Sequence, residues 1–298
     1  MPQTHRPLAA ALWMIGSILS FSAMAVAGRA VATHHDTFEI MLWRSGVGLI
    51  IVLLIATATR RLPQIKTTHL GQHAVRNLFH FTGQNLWFWA LTMIPLAQVF
   101  ALEFTSPIWV ILLSPLLLGE RITPARALAA AMGFVGILIV ARPDFATLNP
   151  GIIAAATSAI CFATTVILTK SLTRGESIVS ILFWLTLMQL ALGLIFAGYD
   201  GAMHLPTATT APWLVLIGVA GIFAHYCLTT ALSLASASVV VPIDFARLPV
   251  IAVVGAVLYS EPLDLMVFLG AALIFAANWV NIRAENRAQQ PQSPVKIP

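Results

Sequence analysis

Polar side chains recur inside one long apolar run of this sequence. Asn77, His80, Gln84 and Trp87 follow one another at spacings of three, four and three residues, which places them on one face of a helix, and Asn85 adjoins them. Imidazole, amide and indole groups on one face can hydrogen-bond and stack against a small organic molecule. They can also bond neighbouring helices. The pattern predicts a substrate-lining surface, with interhelical hydrogen bonding as the alternative.

A second run contains opposite charges close together. Asp244 and Arg247 stand three residues apart, between Pro242 and Pro249. That spacing permits an ion pair, which lowers the cost of placing both charges in a membrane, and the prolines free backbone carbonyls nearby. The pair predicts a gate or a partner for a zwitterionic ligand, because Arg binds carboxylates and Asp binds ammonium groups. The alternative is a neutralised pair that only packs.

Two more charges lie at membrane depth, Glu103 and Arg44, in separate runs. Their opposite signs predict either a structural bridge between them or contacts with substrate. Aromatic and hydroxyl side chains surround Glu103 in the chain, and polar or aromatic residues recur in a later run. The remaining predicted cavity residues are therefore Phe104, Thr105, Trp109, His225 and Tyr226.

The elements that carry these residues must lie in lipid. Of 298 residues, 59% are hydrophobic and only 9% are charged, and the mean hydropathy is +0.89, whereas soluble domains are about 25% charged. The net charge of +5 is spread over short loops, so no nucleic-acid-binding face is predicted. Cys161 and Cys227 lie in apolar runs and form no disulfide or metal pattern. The expected partners are a small-molecule substrate and the bilayer, with no metal or other cofactor, in a monomer or weak oligomer.

Ten runs are long enough to cross a hydrocarbon core, which needs about 20 residues. The first resembles a signal peptide at Ala25-Val26-Ala27, but its apolar core is too long, so we interpret it as a retained helix. The predicted fold is an all-α integral membrane protein with helices over 8–28, 37–59, 73–93, 96–117, 123–141, 150–171, 177–198, 212–234, 238–259 and 263–282.

The sequence also repeats itself at a shift of roughly 141 positions. Charged matches are informative because charge is scarce; they pair Glu103 with Asp244, Glu120 with Glu261, Arg29 with Lys170 and Arg142 with Arg283. The two glutamates of the second match predict structural corners between helices. The shift also places His225 on Gln84 and Tyr226 on Asn85. The predicted units are repeats over 1–142 and 149–283, followed by a disordered tail over 284–298.

Basic residues predict the orientation of these repeats. If the N-terminus is cytoplasmic, twelve Lys and Arg residues fall in inside loops and the tail, and only Arg29 and Arg142 fall outside. Both termini are then predicted inside, in a cell inner (plasma) membrane. Five helices per repeat, an odd number, invert the second copy relative to the first, as in many transporters.

A family resemblance is carried by the stretch FTSPIWVILLSPLLLGERITPARALAAAMGFVGILIVARP. It resembles the end of the EamA unit of the drug/metabolite transporter superfamily, with a Pro-containing helix, a Gly-Glu corner and a Gly-containing helix. The second copy, AVLYSEPLDLMVFLGAALIFAANW, keeps the Glu but has Ser for Gly and a Pro after it. VVVPIDFARLPVIAVVG resembles amino-acid and metabolite exporters of this superfamily, including aromatic amino-acid exporters of the YddG type.

The resemblance implies ten helices with both termini inside and a cavity between the third, fourth, eighth and ninth. The predicted function is alternating-access export of amino acids, aromatic or other neutral ones, with another small metabolite or a drug as the alternative. A retinal-type sensor is disfavoured because Lys66, Lys170 and Lys296 lie in loops or the tail. An enzyme is also disfavoured, since His34-His35-Asp36 sits in a predicted loop. Energy coupling stays open, because Glu103 or Asp244 could carry a proton.

Overall fold

The computed structural model describes residues 7–66, 68–118, 123–142, 149–172, 175–199, 201–234, 243–244 and 246–289. Regular structure in these residues is helical throughout, with a short 3-10 turn at Leu62–Gln64. The helices are α1 Pro7–Val31, α2 Thr37–Ala58, α3 Leu70–Met93, α4 Leu96–Glu103, α5 Ser106–Leu118, α6 Pro124–Ala141, α7 Pro150–Leu172, α8 Ile178–Phe196, α9 Ala211–Leu234, α10 Arg247–Tyr259 and α11 Leu265–Gln289.

The surface of the helices is apolar. Leu116, Val257 and Leu194 are each more than half exposed, as are many other large aliphatic side chains, and such a surface is stable only against lipid. Seven segments are long and apolar enough to cross a membrane: Leu8–Val31, Thr37–Ala58, Leu96–Leu113, Pro150–Thr169, Ile178–Phe196, Ala211–Leu228 and Leu265–Ala284. The chain is therefore an integral membrane protein. Ten crossings remain a prediction.

Helix α3 falls outside those seven because it is polar, although its 24 residues are long enough to span. Its polar side chains, His80 and Gln84 among them, are buried, while Leu78 and Phe79 are exposed. The helix thus turns a polar face inward and an apolar face outward, the reverse of a helix in a soluble protein. This arrangement brings the predicted substrate face into the protein interior.

Side-chain hydrogen bonds determine where α2 begins. The Asp36 side chain accepts a hydrogen bond from the N–H of Glu39 (2.8 Å), and the Glu39 carboxylate accepts one from the N–H of Asp36 (3.3 Å), which makes a capping box at the start of α2. His35 bonds Glu39 and the Thr210 hydroxyl. Of the residues His34, His35 and Asp36, His35 thus ties α2 to the loop before α9, and Asp36 caps α2.

The apolar run 96–117 was predicted as one helix, and the structure divides it into α4 and α5. The Thr105 hydroxyl donates to the carbonyl of Leu102 (2.7 Å), and Pro107, the second residue of α5, has no N–H for a helical bond. The division places Glu103 at the end of α4, where its side chain faces α10.

Helices pair most extensively as α1 with α9, α3 with α7, α2 with α8 and α6 with α11. In the last pair, a Cβ on Gly136 would lie 2.9 Å from the carbonyl oxygen of Gly270, and one on Gly270 would lie 2.8 Å from that of Gly136. Only glycine lets these backbones approach so closely. The shift of 141 residues maps α1–α9 onto α7–α3, so the first two pairings are related by the sequence repeat.

The ends of the chain differ in part from expectation. Helix α1 begins at Pro7, and α11 continues to Gln289, beyond residue 284 where the disordered tail was predicted to begin. An uninterrupted helix up to Gln289 therefore contains the first six residues of that segment. The predicted corner residue Glu120 and the rest of the tail, 290–298, lie outside the described residues.

Candidate functional site

The central charged cluster, which we call the Arg247 cluster, comprises Arg247, Glu103, Asp244 and Trp87. Arg247 Nη2 lies 3.2 Å from Glu103 Oε1 and 3.1 Å from Asp244 Oδ2, and Trp87 Nε1 donates to Glu103 Oε2 at 2.8 Å. The Asp244–Arg247 contact has the predicted i, i+3 spacing. One guanidinium therefore compensates two carboxylates, held by α3, α4 and α10.

Aromatic rings enclose the Arg247 guanidinium. Its Cζ lies 4.8 Å from the ring centroid of Phe21, 5.1 Å from that of Phe100 and 5.0 Å from that of Phe104. These distances are within cation–π range, and the negative ring faces add to the stabilisation by the carboxylates. Phe104, a predicted cavity residue, is thus part of this enclosure. The cluster is anchored from α1, α4 and α10 at once.

The predicted bridge between Arg44 and Glu103 is not formed. Glu103 bonds Arg247 and Trp87, whereas Arg44 Nη1 lies 3.4 Å from Gln189 Oε1 on α8 and 4.0 Å from Met41 Sδ. The reason is helix packing: α2 lies against α8 and α9, while α4 lies against α10. Opposite charge was the only basis for the predicted bridge, and it does not specify which helices meet.

Arg44 lines a narrow cavity between α2, α8 and α9. Its other walls include Ser45 and Gly48 on α2, Thr186 and Gln189 on α8, and Gly218, Ile222 and His225 on α9, with Leu185 closing one side. The volume is about 10 Å³, room for about one water molecule. The predicted residues Arg44 and His225 therefore share one cavity.

The polar face of α3 reaches the same region. His80 is buried with both ring nitrogens unpaired, and its ring centroid is 6.0 Å from Phe162 and 6.3 Å from His225. Gln84 Oε1 is also unpaired, and so is Asn85 Oδ1, although Asn85 Nδ2 donates to the carbonyl of Phe81. Buried polar groups without partners are rare and costly, so these atoms are candidates for contact with water or substrate.

Other predicted residues are engaged in structural contacts. Asn77 Nδ2 donates to the carbonyl of Trp184 (3.1 Å), which joins α3 to α8, and the Thr105 hydroxyl donates to the carbonyl of Leu102 on α4. Tyr226 is 53% exposed, and its ring contacts Trp13 at 5.7 Å. One residue further along a helix turns a side chain by about 100°. Tyr226 therefore points away from the cavity that His225 lines.

Trp109 also fails to join the central residues through any described bond. Its indole is half-buried, and Nε1 is buried without a hydrogen-bond partner. The structure thus brings together Glu103, Asp244, Arg247, Trp87 and Phe104 in one cluster and Arg44, His225, His80, Gln84 and Asn85 in a neighbouring polar region. Among the described residues, no hydrogen bond joins Asn77, Thr105, Trp109 or Tyr226 to either group.

A further charged cluster closes one end of the bundle. Arg29 bonds Glu261, and its Nε and Nη2 donate to the carbonyls of Leu91 (2.6 Å) and Ile94 (2.7 Å). Glu261 Oε2 also accepts from the N–H of Leu96 (2.9 Å), at the start of α4. These bonds join α1, α3, α4 and the end of α10. Sequence reasoning treated Glu261 as a corner residue and did not find this contact.

Other missed residues carried a weaker signal. Gln189 is a single amide in the apolar helix α8, so the rule that polar groups at membrane depth face the interior would have selected it. Phe21 and Phe100 carried no such signal, because a Phe in an apolar helix is as consistent with lipid contact as with a cation. Among the described residues, no group of three or more His, Cys, Asp or Glu side chains is arranged to hold a metal ion.

Comparison with known proteins identifies the family of this chain. The model of the EamA-like transporter family matches the chain twice, over residues 8–142 and 149–283. A riboflavin transporter of Brucella anthropi is 31% identical over 281 residues, 92% of this chain and 98% of that one. An S-adenosylmethionine uptake transporter of Rickettsia felis is 26% identical over 276 residues, 93% of each chain.

A riboflavin transporter of Rhizobium johnstonii is 29% identical over 292 residues, covering 97% of this chain and 95% of its own. One crystal structure superposes with a TM-score of 0.66 at 19% identity, covering 94% of this chain and 99% of that one, and it supports the fold alone. The relatives are transporters rather than enzymes. Apolar helices and a matching family model over most of its length show that the chain is a membrane transporter belonging to the EamA-like transporter family.

Proposed function

We propose that this protein carries a metabolite built on a planar nitrogen heterocycle across the membrane, with riboflavin as the first candidate. The observation that carries the proposal is the unpaired polar face of α3. His80, Gln84 and Asn85 offer buried hydrogen-bonding atoms, and the Phe162 ring lies 6.0 Å from the His80 ring. A flavin presents ring nitrogens and carbonyls along its edges and flat faces for stacking, which matches both features.

The relatives support this substrate class over the predicted amino-acid export. Two of them are riboflavin transporters, and a third takes up S-adenosylmethionine, whose adenine is also a fused nitrogen heterocycle. They favour the alternative prediction, another small metabolite, and the uptake transporter favours import over export. Aromatic amino acids, the substrates first predicted, are therefore kept as competitors in the transport experiment.

S-adenosylmethionine is the second candidate, and one observation favours it. Glu103 and Asp244 together outnumber the single cation Arg247 that contacts both. A ligand with a positively charged sulfonium would be attracted to that excess of carboxylate. Riboflavin is neutral and gains nothing from it.

Reconstitution into liposomes tests the substrate directly. Riboflavin fluorescence inside the vesicles should rise above the level in protein-free liposomes, and unlabelled S-adenosylmethionine, tryptophan and phenylalanine should be added as competitors. His80→Ala and Gln84→Ala should each lower uptake while the protein still folds. The matched control is Phe79→Ala, because Phe79 adjoins His80 in the chain but faces outward. Wild-type uptake in both α3 variants would remove this face from the site.

We also infer that the two halves are inverted repeats that rock about the central site, with both termini cytoplasmic. The support is the distribution of basic residues and the helix pairs that the repeat relates, α1–α9 and α3–α7. Cysteines placed at Lys66 and at its repeat mate Thr207 should react with a membrane-impermeant thiol reagent from opposite sides. Reaction of both from one side would contradict the inversion.

A further inference from the structure

Arg44 is a buried guanidinium without an acidic partner in the part of the chain that the structure describes. Its Nη1 contacts only Gln189 Oε1 (3.4 Å) and Met41 Sδ (4.0 Å), and its Nε has no hydrogen-bond partner. The side chain is 7% exposed. A neutral amide and a thioether compensate a positive charge poorly, so Arg44 retains most of its capacity to bind an anion.

The carboxylates whose side chains the structure describes are committed elsewhere. Asp36 and Glu39 lie at the α2 cap, and Glu103 and Asp244 contact Arg247. The remaining carboxylates also have partners: Glu176 bonds Thr68, Glu261 bonds Arg29 and Asp264 bonds Arg142. The region around Arg44 is therefore basic and lacks a balancing acid among these residues.

An unbalanced cation at membrane depth is expensive, and such residues usually face a cavity with a function. The Arg44 cavity is also lined by two donors that suit an anion, the hydroxyl of Ser45 and the amide of Gln189, whose Nε2 is unpartnered. The Thr186 hydroxyl instead donates to the carbonyls of Leu182 (3.0 Å) and Phe183 (3.1 Å) within α8. A guanidinium matches the two oxygens of a carboxylate or phosphate in a single plane. We propose that Arg44, Ser45 and Gln189 form an oxyanion subsite that binds a carboxylate or phosphate group on the transported molecule.

Glycine makes room for this subsite. A Cβ on Gly221 would lie 3.1 Å from Arg44 Nε, so a larger residue would push the guanidinium aside. The cavity of about 10 Å³ admits only a water molecule in this conformation. An oxyanion enters when α2 and α9 separate, which is the movement that alternating access requires.

The oxyanion subsite lies beside a region of opposite sign. The Phe21 ring contacts His225, which lines the Arg44 cavity, at 5.5 Å, and it lies 4.8 Å from the guanidinium of Arg247, which carries two carboxylates. A substrate with an anionic group at Arg44 and a heterocycle along His80 and Phe162 fits this arrangement. The inference rests on the transport pathway proposed above and favours S-adenosylmethionine or a flavin phosphate over neutral riboflavin.

Thermal unfolding of the detergent-purified protein tests the subsite without transport. The midpoint is followed by tryptophan fluorescence in sodium phosphate, sodium acetate and sodium chloride at one ionic strength and pH 7. Phosphate or acetate should raise the wild-type midpoint relative to chloride. Arg44→Gln should abolish that rise, Arg44→Lys should keep part of it, and the exposed control Arg61→Gln should retain it in full.

A response to phosphate alone identifies a phosphate, and a response to acetate alone identifies a carboxylate. If Arg44→Gln does not fold, Gln189→Leu should still diminish the rise, because it removes one donor and leaves Arg44 in place. No rise in the wild type, or an undiminished rise in Arg44→Gln and Gln189→Leu, overturns the subsite. Riboflavin uptake without any oxyanion response overturns this inference alone; an oxyanion response without riboflavin uptake overturns only the first candidate substrate.

Discussion

Arg247 and Arg44 are both buried arginines on membrane helices, yet their surroundings differ. Arg247 has two carboxylates at 3.1 and 3.2 Å and three aromatic rings about 5 Å away. Arg44 has a glutamine and a methionine. A charge whose partners are all inside the protein stabilises the fold, whereas one without partners is available to a ligand. We therefore expect the Arg247 cluster to stabilise the fold and Arg44 to bind an anion.

Removing Arg247 should have the largest effect on stability. Arg247→Ala leaves the two partly buried carboxylates of Glu103 and Asp244 without their cation, and breaking a fully buried pair in this way costs about 3–5 kcal/mol, which is the upper bound expected here. The free energy of unfolding in mixed detergent micelles measures the loss. Arg247→Lys is the control, because it restores a charge without the planar fork and should recover part of the stability. An Arg247→Ala protein as stable as wild type would contradict a stabilising role.

The Arg29–Glu261 pair tests whether pairing of opposite charges also stabilises the fold near the end of the bundle. The side chains are 16% and 14% exposed, and Arg29 also serves the carbonyls of Leu91 and Ile94. We expect Arg29→Ala to cost about 2 kcal/mol, less than Arg247→Ala, because it leaves one carboxylate without its cation rather than two. The coupling between Arg29→Ala and Glu261→Gln in a double-mutant cycle isolates the pair. A coupling near zero would show that Arg29 acts through the two carbonyls alone.

The features that could be predicted from the sequence depend on the periodicity of residues within a single segment. Long apolar runs predicted membrane helices, and the spacing of His80 and Gln84 predicted an inward polar face on α3, because both properties belong to one segment. Asp244 and Arg247 lie on one turn, so their contact was also predictable. The break between α4 and α5 was not, since Thr105 and Pro107 interrupt the helix without interrupting the apolar run.

Contacts between helices could not be predicted from the sequence. Glu103 was paired with the wrong arginine, because three-dimensional packing decides whether α4 meets α2 or α10. Arg29 and Glu261 are 232 residues apart, and nothing local to either residue indicates the other. Tyr226 was placed in the cavity because the repeat maps it onto Asn85, but a one-residue step around α9 turns it outward. Interhelical partners require tertiary structure.

Arg44→Gln sharpens the central comparison because the expected effect on stability is small. Substitution removes a buried charge that lacks an acid, so the cost of burying that charge disappears along with the weak bond to Gln189. We expect the free energy of unfolding to change by less than about 1 kcal/mol, in either direction. The same micelle assay measures it beside Arg247→Ala. If the two substitutions destabilise equally, the distinction between a structural and a ligand-binding arginine fails.

The Arg142–Asp264 pair should have the smallest effect, because its side chains are 51% and 37% exposed. Exposed ion pairs contribute less than about 1 kcal/mol. Burial alone would raise the pKa of Asp264, but hydrogen bonds from Arg142 and from the N–H of Met266 outweigh it and hold that pKa below the usual 3.8. The contribution is therefore present above pH 3.8 and is lost as the pH falls through the folded-state pKa.

Asp264→Asn should remove this pH dependence while changing stability little at pH 7. The free energy of unfolding of the wild type and of the variant is measured between about pH 7 and 3. The difference between the two free energies should become smaller as the pH falls. Arg142 and Arg247 are both paired with aspartate at hydrogen-bonding distance, but the Arg142 side chain is 51% exposed whereas that of Arg247 is buried. A large loss in Asp264→Asn at neutral pH would mean that pairing itself, rather than burial of the pair, determines how much an arginine stabilises this fold.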